Sequence, residues 1–376
     1  MRIIIKEFED FTIDSVTVLL KKQAPKPISL YEIEPKYNFD DIVIISERDT
    51  EAKACNYKPA QLFTYEEIFS KIGNYILEAF YDKYDYYYLK KTLQKACTNK
   101  NIDTIITGSS YALFDIDENL LSPNAVNLSM ISQDLYYSIK LVYESFKYNK
   151  NIKKVVMICG YYYFFSDLSL SKTARELLRI SKVYLPLFDD IHNCMILPKP
   201  ENKMPYSKIF DFEKILNEYE NVMKPSFYFS DIKKRELCAI FTWKETTKKW
   251  NELSDKEKIQ AGKTRAEMHN KSINHTTTLE ENSLLLNNFL DFCKKNDISL
   301  FFVTAPMSEC YAKELNKNFK NIFYNVLNNA NGVIHLIDTN CFQKDFFNDD
   351  DFIDTDHLSD SGAKKLTEVI LSEIVL

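Results

Sequence analysis

From residue 101 onward, short apolar runs alternate with longer stretches of helical periodicity. Runs rich in β-branched and other apolar residues predict strands at 103–107, 125–128, 154–159, 298–304 and 333–337. Apolar residues spaced three and four apart predict helices at 133–148, 280–295, 309–328 and 361–375. Strands that alternate with helices favour a parallel sheet covered by helices on both faces. We therefore predict a three-layer α/β/α domain with a flavodoxin-like sheet over residues 96–376.

The rest of the chain shows weaker patterns. Residues 1–95 contain three short β-branched runs, at 3–5, 16–20 and 41–46, and one helical stretch at 65–81. They predict a small N-terminal α/β lobe, to which no chemistry can be assigned. The segment of about 166–278 is long, polar and mostly helical in pattern, as at 212–222 and 233–243. We interpret it as an insertion that caps the site and shapes an acyl or sugar pocket.

Composition narrows the class of protein. The 376 residues are 45% hydrophobic and 27% charged, as in ordinary globular proteins, and the length suits two domains or one domain with an insertion. A net charge of -6 argues against general nucleic-acid binding. The eight cysteines are scattered without a CxxC pair, which favours reduced thiols and a cytoplasmic setting. No apolar run has the length of a signal peptide or a membrane span, so we expect contact with a membrane only at its inner face.

The glycines and histidines exclude several kinds of site. Only six glycines occur, and none are clustered, which excludes the dinucleotide fingerprint and the P-loop. His269 and His275 are six residues apart and do not share a helical face, so they form no metal motif. We expect no cofactor and no metal, and we interpret His192, His269, His275 and His335 as surface or packing residues.

Candidate chemistry follows the predicted strands, where open α/β sheets bind their ligands. Ser110 comes after a strand and Gly108, in a position suited to a nucleophile at a helix N-terminus. A serine hydroxyl needs a base, and the base needs an orienting acid. His357 follows the last predicted strand, and Asp354 lies three residues before it. Ser109 is the rival nucleophile, and a simple helix N-cap is the alternative role of Ser110.

These segments resemble the motif blocks of the SGNH (GDSL-like) hydrolases. The stretch Ile106–Ser110 is similar to the first block, with Ser109 in place of the usual Asp. The stretch from Asp354 through His357 to Ala363 is very similar to the last block. The resemblance covers roughly residues 102–165 and 285–376. It implies that Ser110 is the nucleophile, His357 the base and Asp354 its partner.

Two other blocks depart from the family pattern. In Asn127-Leu128-Ser129, Ser129 stands where a Gly normally donates its N–H to the oxyanion. In Gly160–Tyr163, Tyr162 stands where the family carries Asn. The resemblance still implies oxyanion or substrate contacts from Ser129, Asn127, Gly160 and Tyr162. Similar departures occur in relatives that acylate or deacylate cell-surface polysaccharides.

The resulting hypothesis is serine-dependent hydrolysis or transfer of a short acyl ester, acetyl above all, on a carbohydrate or polysaccharide precursor. The partner would then be an acylated carbohydrate or another small acyl ester. One alternative is a catalytically degenerate SGNH-like protein that binds a glycan or a partner protein. A lipid-directed esterase is a third, and the oligomeric state stays open.

Overall fold

The computed structural model describes residues 2–5, 41–45, 62–64, 85–86, 88–197, 250–343 and 346–374. The chain divides into two compact units, Met1–Tyr88 with Glu201–Lys234 and Leu89–Pro200 with Arg235–Leu376. The predicted domain limits at residue 95 and at 166–278 stay predictions. Of the predicted segments, 16–20, 65–81, 212–222 and 233–243 lie outside the described residues.

The described part of the first unit is a three-stranded parallel sheet. Its strands are β1 (Arg2–Ile5), β2 (Asp41–Ile45) and β3 (Leu62–Thr64), in the order β1-β2-β3. The runs predicted at 3–5 and 41–46 are therefore strands of one sheet.

The second unit contains a five-stranded sheet in which every pair is parallel. Its strands are β4 (Thr104–Gly108), β5 (Ala125–Asn127), β6 (Lys154–Cys159), β7 (Ser299–Thr304) and β8 (His335–Asp338). Their order is β5-β4-β6-β7-β8. Numbered within the sheet this is 2-1-3-4-5, the order of flavodoxin-like doubly wound sheets. The prediction of an α/β fold with a parallel sheet is confirmed, and the architecture is compatible with three layers.

The central strands are apolar on both faces because both faces are covered. All five residues of β4 are buried, and the last five residues of β6 and of β7 are buried as well. Such continuous apolar runs are typical of parallel strands that pack against helices on either side. The chain reverses direction of winding between β4 and β6, which is the switch point at which sheets of this order bind ligands.

Eleven α-helical segments of the second unit fall within the described residues and are numbered α1–α11; short 3-10 and π-helical turns lie between some of them. They are α1 (89–98), α2 (Ser110–Phe114), α3 (Glu118–Leu121), α4 (Leu135–Tyr148), α5 (Ala174–Arg179), α6 (Leu185–Phe188), α7 (Asp255–Asn270), α8 (Thr276–Asn296), α9 (Glu309–Glu314), α10 (Asn318–Asn328) and α11 (Asp360–Ile374). Within the described part of the chain, no helix is both long enough and apolar enough to cross a membrane.

One predicted helix is two helices in the structure. The periodicity of 309–328 continues through Asn316, but the helix breaks there into α9 and α10. The side chain of Asn316 accepts a hydrogen bond from the N–H of Asn318 at 3.0 Å, and its own N–H donates to the side chain of Asn270 at 2.8 Å. Asn side chains that bond nearby backbone in this way compete with the helix, which apolar spacing does not reveal.

Candidate functional site

Ser110 is positioned by the close approach of two strands. Gly108 ends β4 with a φ of +134°, a conformation that residues with a Cβ rarely adopt. A Cβ at this position would lie 2.2 Å from the carbonyl oxygen of Ile158 in the neighbouring strand. The chain therefore turns tightly, and Ser110 becomes the first residue of α2. Its hydroxyl lies at the carboxyl edge of the sheet, beside the switch point between β4 and β6.

His357 and Asp354 share one turn between the last strand and α11. Asp354 Oδ1 accepts the N–H groups of Asp356 at 3.0 Å and of His357 at 2.9 Å. Both carboxylate oxygens also lie 3.0 Å from His357 Nδ1. The other ring nitrogen, Nε2, lies 2.8 Å from Ser110 Oγ. The structure thus brings the three predicted residues together in the order acid, imidazole and hydroxyl.

A buried acid that no sequence pattern marks, Asp115, hydrogen-bonds the turn that carries His357. Asp115 follows α2, is fully buried, and accepts the N–H of Leu358 at 2.8 Å. Its second carboxylate oxygen has no hydrogen-bond partner among the described residues. Burial therefore raises the pKa of Asp115 to about 8. Near neutral pH this residue is a neutral acid, which adds no charge beside His357.

A second carboxylate lies behind the imidazole. Asp356 is fully buried, and its Oδ1 lies 3.7 Å from His357 Nδ1. It accepts hydrogen bonds from Tyr111 at 2.6 Å, from Thr355 at 2.8 Å and from Arg265 Nε at 3.0 Å to each oxygen. Burial alone would raise the pKa of Asp356, but the Arg265 guanidinium and His357 hold it well below its usual range. A buried anion with this many donors is permanently charged.

The surrounding charges also determine the proton affinity of His357. Burial by itself lowers the pKa of the imidazole, because the charged ring is less stable away from water. The carboxylates of Asp354 and Asp356 outweigh burial and raise the pKa to about 9. The ring is also enclosed by Tyr111 and Phe114, whose ring centroids lie 5.1 and 5.7 Å away.

The residues of the second block are occupied with each other. Ser129 donates its N–H to Asn127 Oδ1 at 3.1 Å, and its hydroxyl donates to the same oxygen. The Asn127 amide donates to the carbonyl of Ala112 at 2.6 Å. Both side chains are buried in the fold. The N–H that the family pattern assigns to the oxyanion is therefore already bonded inside the protein.

The third block supplies a pocket wall. Gly160 and Tyr162 line a pocket of about 280 Å³ together with Ser110. The Tyr162 hydroxyl lies 2.9 Å from that of Tyr111, which itself donates to Asp356. Tyr162 therefore donates inward, and its hydroxyl is not directed at the nucleophile. Its ring stacks on His269 at a centroid distance of 4.0 Å.

The rival nucleophile has no base. Ser109 also lines the pocket, and its buried hydroxyl has no hydrogen-bond partner among the described residues. It makes no capping bond at the start of α2. Ser110 has the imidazole at 2.8 Å, so the geometry favours it as nucleophile. A buried hydroxyl without a partner beside a nucleophile is instead suited to donate to a ligand.

Another wall of the pocket is formed by residues of the segment predicted as an insertion. The lining residues are Arg265, Met268 and His269 of α7 and Ser272 of the 3-10 turn that follows it, at the spacing of one helical face. No sequence pattern marks Arg265, and the prediction of His269 and His275 as surface or packing residues is incomplete. His269 does pack, between Tyr162 and Tyr311, but it and His275 also line the pocket.

A larger cavity lies elsewhere. It measures about 670 Å³ and is lined by residues of the loop between β7 and α9, of α9 and α10, and of the loop before α11, among them Met307, Lys320 and Phe342. It contains none of the predicted site residues. Volume alone does not define a site, because reaction requires convergent polar groups. We therefore place the candidate site at Ser110.

Two groups in the described part of the chain combine acids and a histidine closely enough to be considered as metal ligands. Asp354, Asp356 and His357 form one, and Asp134, Asp167 and His192 form the other. The carboxylates of the second group accept backbone N–H groups at helix starts: Asp134 caps α4, and Asp167 caps the turn that follows it. The first group is the site described above.

Comparison with protein-family models, with curated proteins and with solved structures finds no match to this chain. The geometry around Ser110 is therefore the basis for assigning a function.

Proposed function

We propose that this protein is a serine-dependent hydrolase or acyltransferase that acts on an ester of a short acyl group. The observation that carries the proposal is the contact of 2.8 Å between Ser110 Oγ and His357 Nε2, with Asp354 at 3.0 Å from the other ring nitrogen. Nucleophile, base and orienting acid are the three groups that acyl transfer through a serine requires.

Each group has a defined step. Ser110 Oγ attacks the ester carbonyl while its proton passes to His357 Nε2. The tetrahedral intermediate then expels the alcohol, which takes the proton from the imidazolium. Water, or a second sugar hydroxyl, attacks the acyl-serine with His357 again as base, and Ser110 is regenerated. Asp354 keeps the tautomer that accepts at Nε2.

The intermediate carries negative charge on the former carbonyl oxygen, which needs hydrogen-bond donors. We assign the backbone N–H of Ser110, at the start of α2, and the unpartnered hydroxyl of Ser109 to this role. This assignment replaces Ser129 and Tyr162, whose donors are bonded inside the fold.

The proposed class is the SGNH-like hydrolases, and the proposed substrate is an acetylated carbohydrate or polysaccharide precursor. The motif blocks that resemble this family support the class, and the sheet order with Ser110 beside the switch point is compatible with it. Gly160 and Tyr162 would then contact the sugar, since both line the pocket.

One observation favours a second function. The family's N–H and amide donors are occupied at Ser129 and replaced at Tyr162, so the oxyanion site is depleted relative to the family pattern. The alternative is therefore a protein of the same fold that binds a glycan or a protein partner without turnover.

Labelling with a fluorophosphonate probe separates the two functions. An activated serine attacks phosphorus and expels fluoride, which leaves a stable phosphonyl ester. We expect peptide mapping to find the label on Ser110, and we expect it to be absent in Ser110→Ala and His357→Ala. Ser109→Ala keeps the nucleophile and the base but loses one proposed oxyanion donor, so it should still be labelled on Ser110, more slowly than the wild type. Folded protein that takes up no label, but binds glycans, would refute the enzyme and favour the binding protein.

A further inference from the structure

Arg265 is the cation of the pocket in which Ser110 lies. It lies in α7 on the face that also presents Met268 and His269, and this face continues at Ser272 in the 3-10 turn that follows. Burial lowers the pKa of His269 to about 3, so this imidazole is neutral. Of the four side chains on this face, only Arg265 carries a charge.

One of the five N–H donors of the guanidinium is already used. Arg265 Nε donates to both oxygens of the buried Asp356, at 3.0 Å each. The two Nη groups have no hydrogen-bond partner among the described residues, and the side chain is 27% exposed. Asp356 is itself 1% exposed and lies on the protein side. Arg265 itself lines the pocket and is partly exposed, so a ligand in the pocket can reach its unused donors.

The guanidinium also keeps its charge. Burial opposes the charged form, but the carboxylate of Asp356 outweighs it and raises the pKa of Arg265 well above its usual value. Asp356 fixes one edge of the planar group and leaves the Nη edge oriented. A planar fork held in this way binds carboxylate and phosphate groups in two-point fashion, with little further loss of side-chain entropy.

Two acidic residues, Glu176 and Asp167, also line the pocket, and the carboxylate of each accepts hydrogen bonds from nearby residues. Glu176 accepts hydrogen bonds from the hydroxyls of Ser132, Ser171 and Thr173. Its pKa is lowered by these donors, against the effect of burial.

The second acid, Asp167, accepts the N–H and the hydroxyl of Ser169, and the amide of Asn193. Both carboxylates are thus satisfied by neutral donors from described segments near them. Arg265 is paired with Asp356 through Nε, and among the described residues that line the pocket its Nη groups are the charged donors left for a ligand.

We propose that Arg265 binds an anionic substituent, a carboxylate or a phosphate, on the sugar whose ester Ser110 attacks. This inference deepens the proposed function and rests on it. The pocket volume of about 280 Å³ lies at the lower limit for ligand sites, which suits one sugar unit. The substrate class is therefore an acylated acidic sugar, and Arg265 determines specificity.

The test compares matched acetyl esters that differ in charge. Mono-O-acetylated glucuronic acid and mono-O-acetylated glucose 6-phosphate are the anionic substrates, and mono-O-acetylated glucose is the neutral reference. We expect kcat/KM for at least one anionic ester to exceed that of the neutral ester about tenfold or more, as one charge-assisted hydrogen bond allows. Whichever anionic ester has the higher kcat/KM shows whether Arg265 binds a carboxylate or a phosphate.

Variants show whether Arg265 is responsible. Arg265→Gln also unpairs Asp356 and will slow both esters, so the readout is the ratio of kcat/KM between them. We expect this ratio to fall to about one, and Arg265→Lys, which keeps the charge without the fork, to retain part of it. Lys263→Gln removes an exposed charge from the same helix and should keep the full ratio. A wild-type ratio near one, or an unchanged ratio in Arg265→Gln, would overturn the proposal.

A binding measurement separates failure of this inference from failure of the proposed function. Ser110→Ala lacks the nucleophile but keeps Arg265, so calorimetry can compare its affinity for the same three esters. Tighter binding of an anionic ester, lost in Ser110→Ala/Arg265→Gln, supports the anion site even if the wild type hydrolyses nothing. Equal affinity for the neutral and anionic esters would reject the anion site whether or not the protein is an esterase.

Discussion

The pH dependence of Ser110 reactivity follows directly from the charges around His357. The imidazole must be neutral to accept the serine proton, and its pKa is raised to about 9. At 1.36 kcal/mol per pKa unit, this rise from 6.5 corresponds to about 3 kcal/mol in favour of the protonated ring. At pH 7 only about one molecule in a hundred then holds the neutral base. We expect reactivity to increase about tenfold per pH unit and to reach half its maximum near pH 9.

Asp354→Asn should move this profile toward acid pH. Asp354 is the largest contributor that raises the His357 pKa, and an opposite charge at hydrogen-bond distance typically changes a pKa by about one to three. The Asp354 side chain is 24% exposed, so we expect the fall in the His357 pKa to lie within that range rather than above it. The maximum should also fall, because the asparagine amide favours the wrong tautomer. We expect a loss of about two to three orders of magnitude, since Asp356 remains 3.7 Å from the ring.

The assay is the rate constant for fluorophosphonate labelling of Ser110 between pH 6 and pH 10, which does not require the natural substrate. Asp350→Asn is the matched control: it removes the same charge from the same loop, and Asp350 bonds Asn251 rather than the imidazole. Its profile should coincide with that of the wild type. A wild-type midpoint below pH 7, or equal midpoints in wild type and Asp354→Asn, would refute the electrostatic reasoning.

Three further substitutions test the scaffold of the site. Asp115→Asn should stabilise the fold increasingly with pH, because the raised pKa of about 8 makes wild-type stability decline as pH rises from about 4 to about 8. Thermal unfolding across that range should show the gain growing by up to about 1.4 kcal/mol per pH unit, and a constant difference would contradict it. Gly108→Ala should cost about 3 kcal/mol or more in urea unfolding, because its Cβ would lie 2.2 Å from the Ile158 carbonyl oxygen at a φ of +134°. Ser109→Ala should lower kcat about a hundredfold with KM nearly unchanged if its hydroxyl donates to the oxyanion, and an equal kcat would exclude that role.

Local signals explain why much of the site could be predicted from the sequence. Asp354 and His357 are three positions apart in one turn, so local backbone geometry alone brings their side chains together. Ser110 follows Gly108, whose glycine identity marks a backbone conformation that other residues avoid. Parallel strands end at one edge, so segments distant in sequence meet there once the strands are identified. The alternation of strands and helices therefore predicted both the sheet and the place where Ser110 and His357 come together.

Asp115 and Arg265 could not be predicted, because no local pattern marks them. Asp115 reaches Leu358 across 243 positions, and Arg265 reaches Asp356 across 91 positions. Arg265 also lies on a helix whose face is mostly polar, which the periodicity alone describes as a solvated surface. Its contact with Asp356 depends on where α7 packs, and that is a property of tertiary structure.

The family pattern fails at Tyr162 for a related physical reason. A buried carboxylate must be compensated by donors, and Asp356 receives them from Tyr111 and from Arg265. Tyr162 extends this chain by donating to the Tyr111 hydroxyl, and its ring packs on His269 of the helix that carries Arg265. Replacing Tyr162 by the asparagine of the family would therefore remove a donor from the network and a ring from the pocket wall. Tyr162 and the Arg265 guanidinium of α7 belong to one hydrogen-bonded and packed arrangement, so neither residue can be interpreted from its own segment alone.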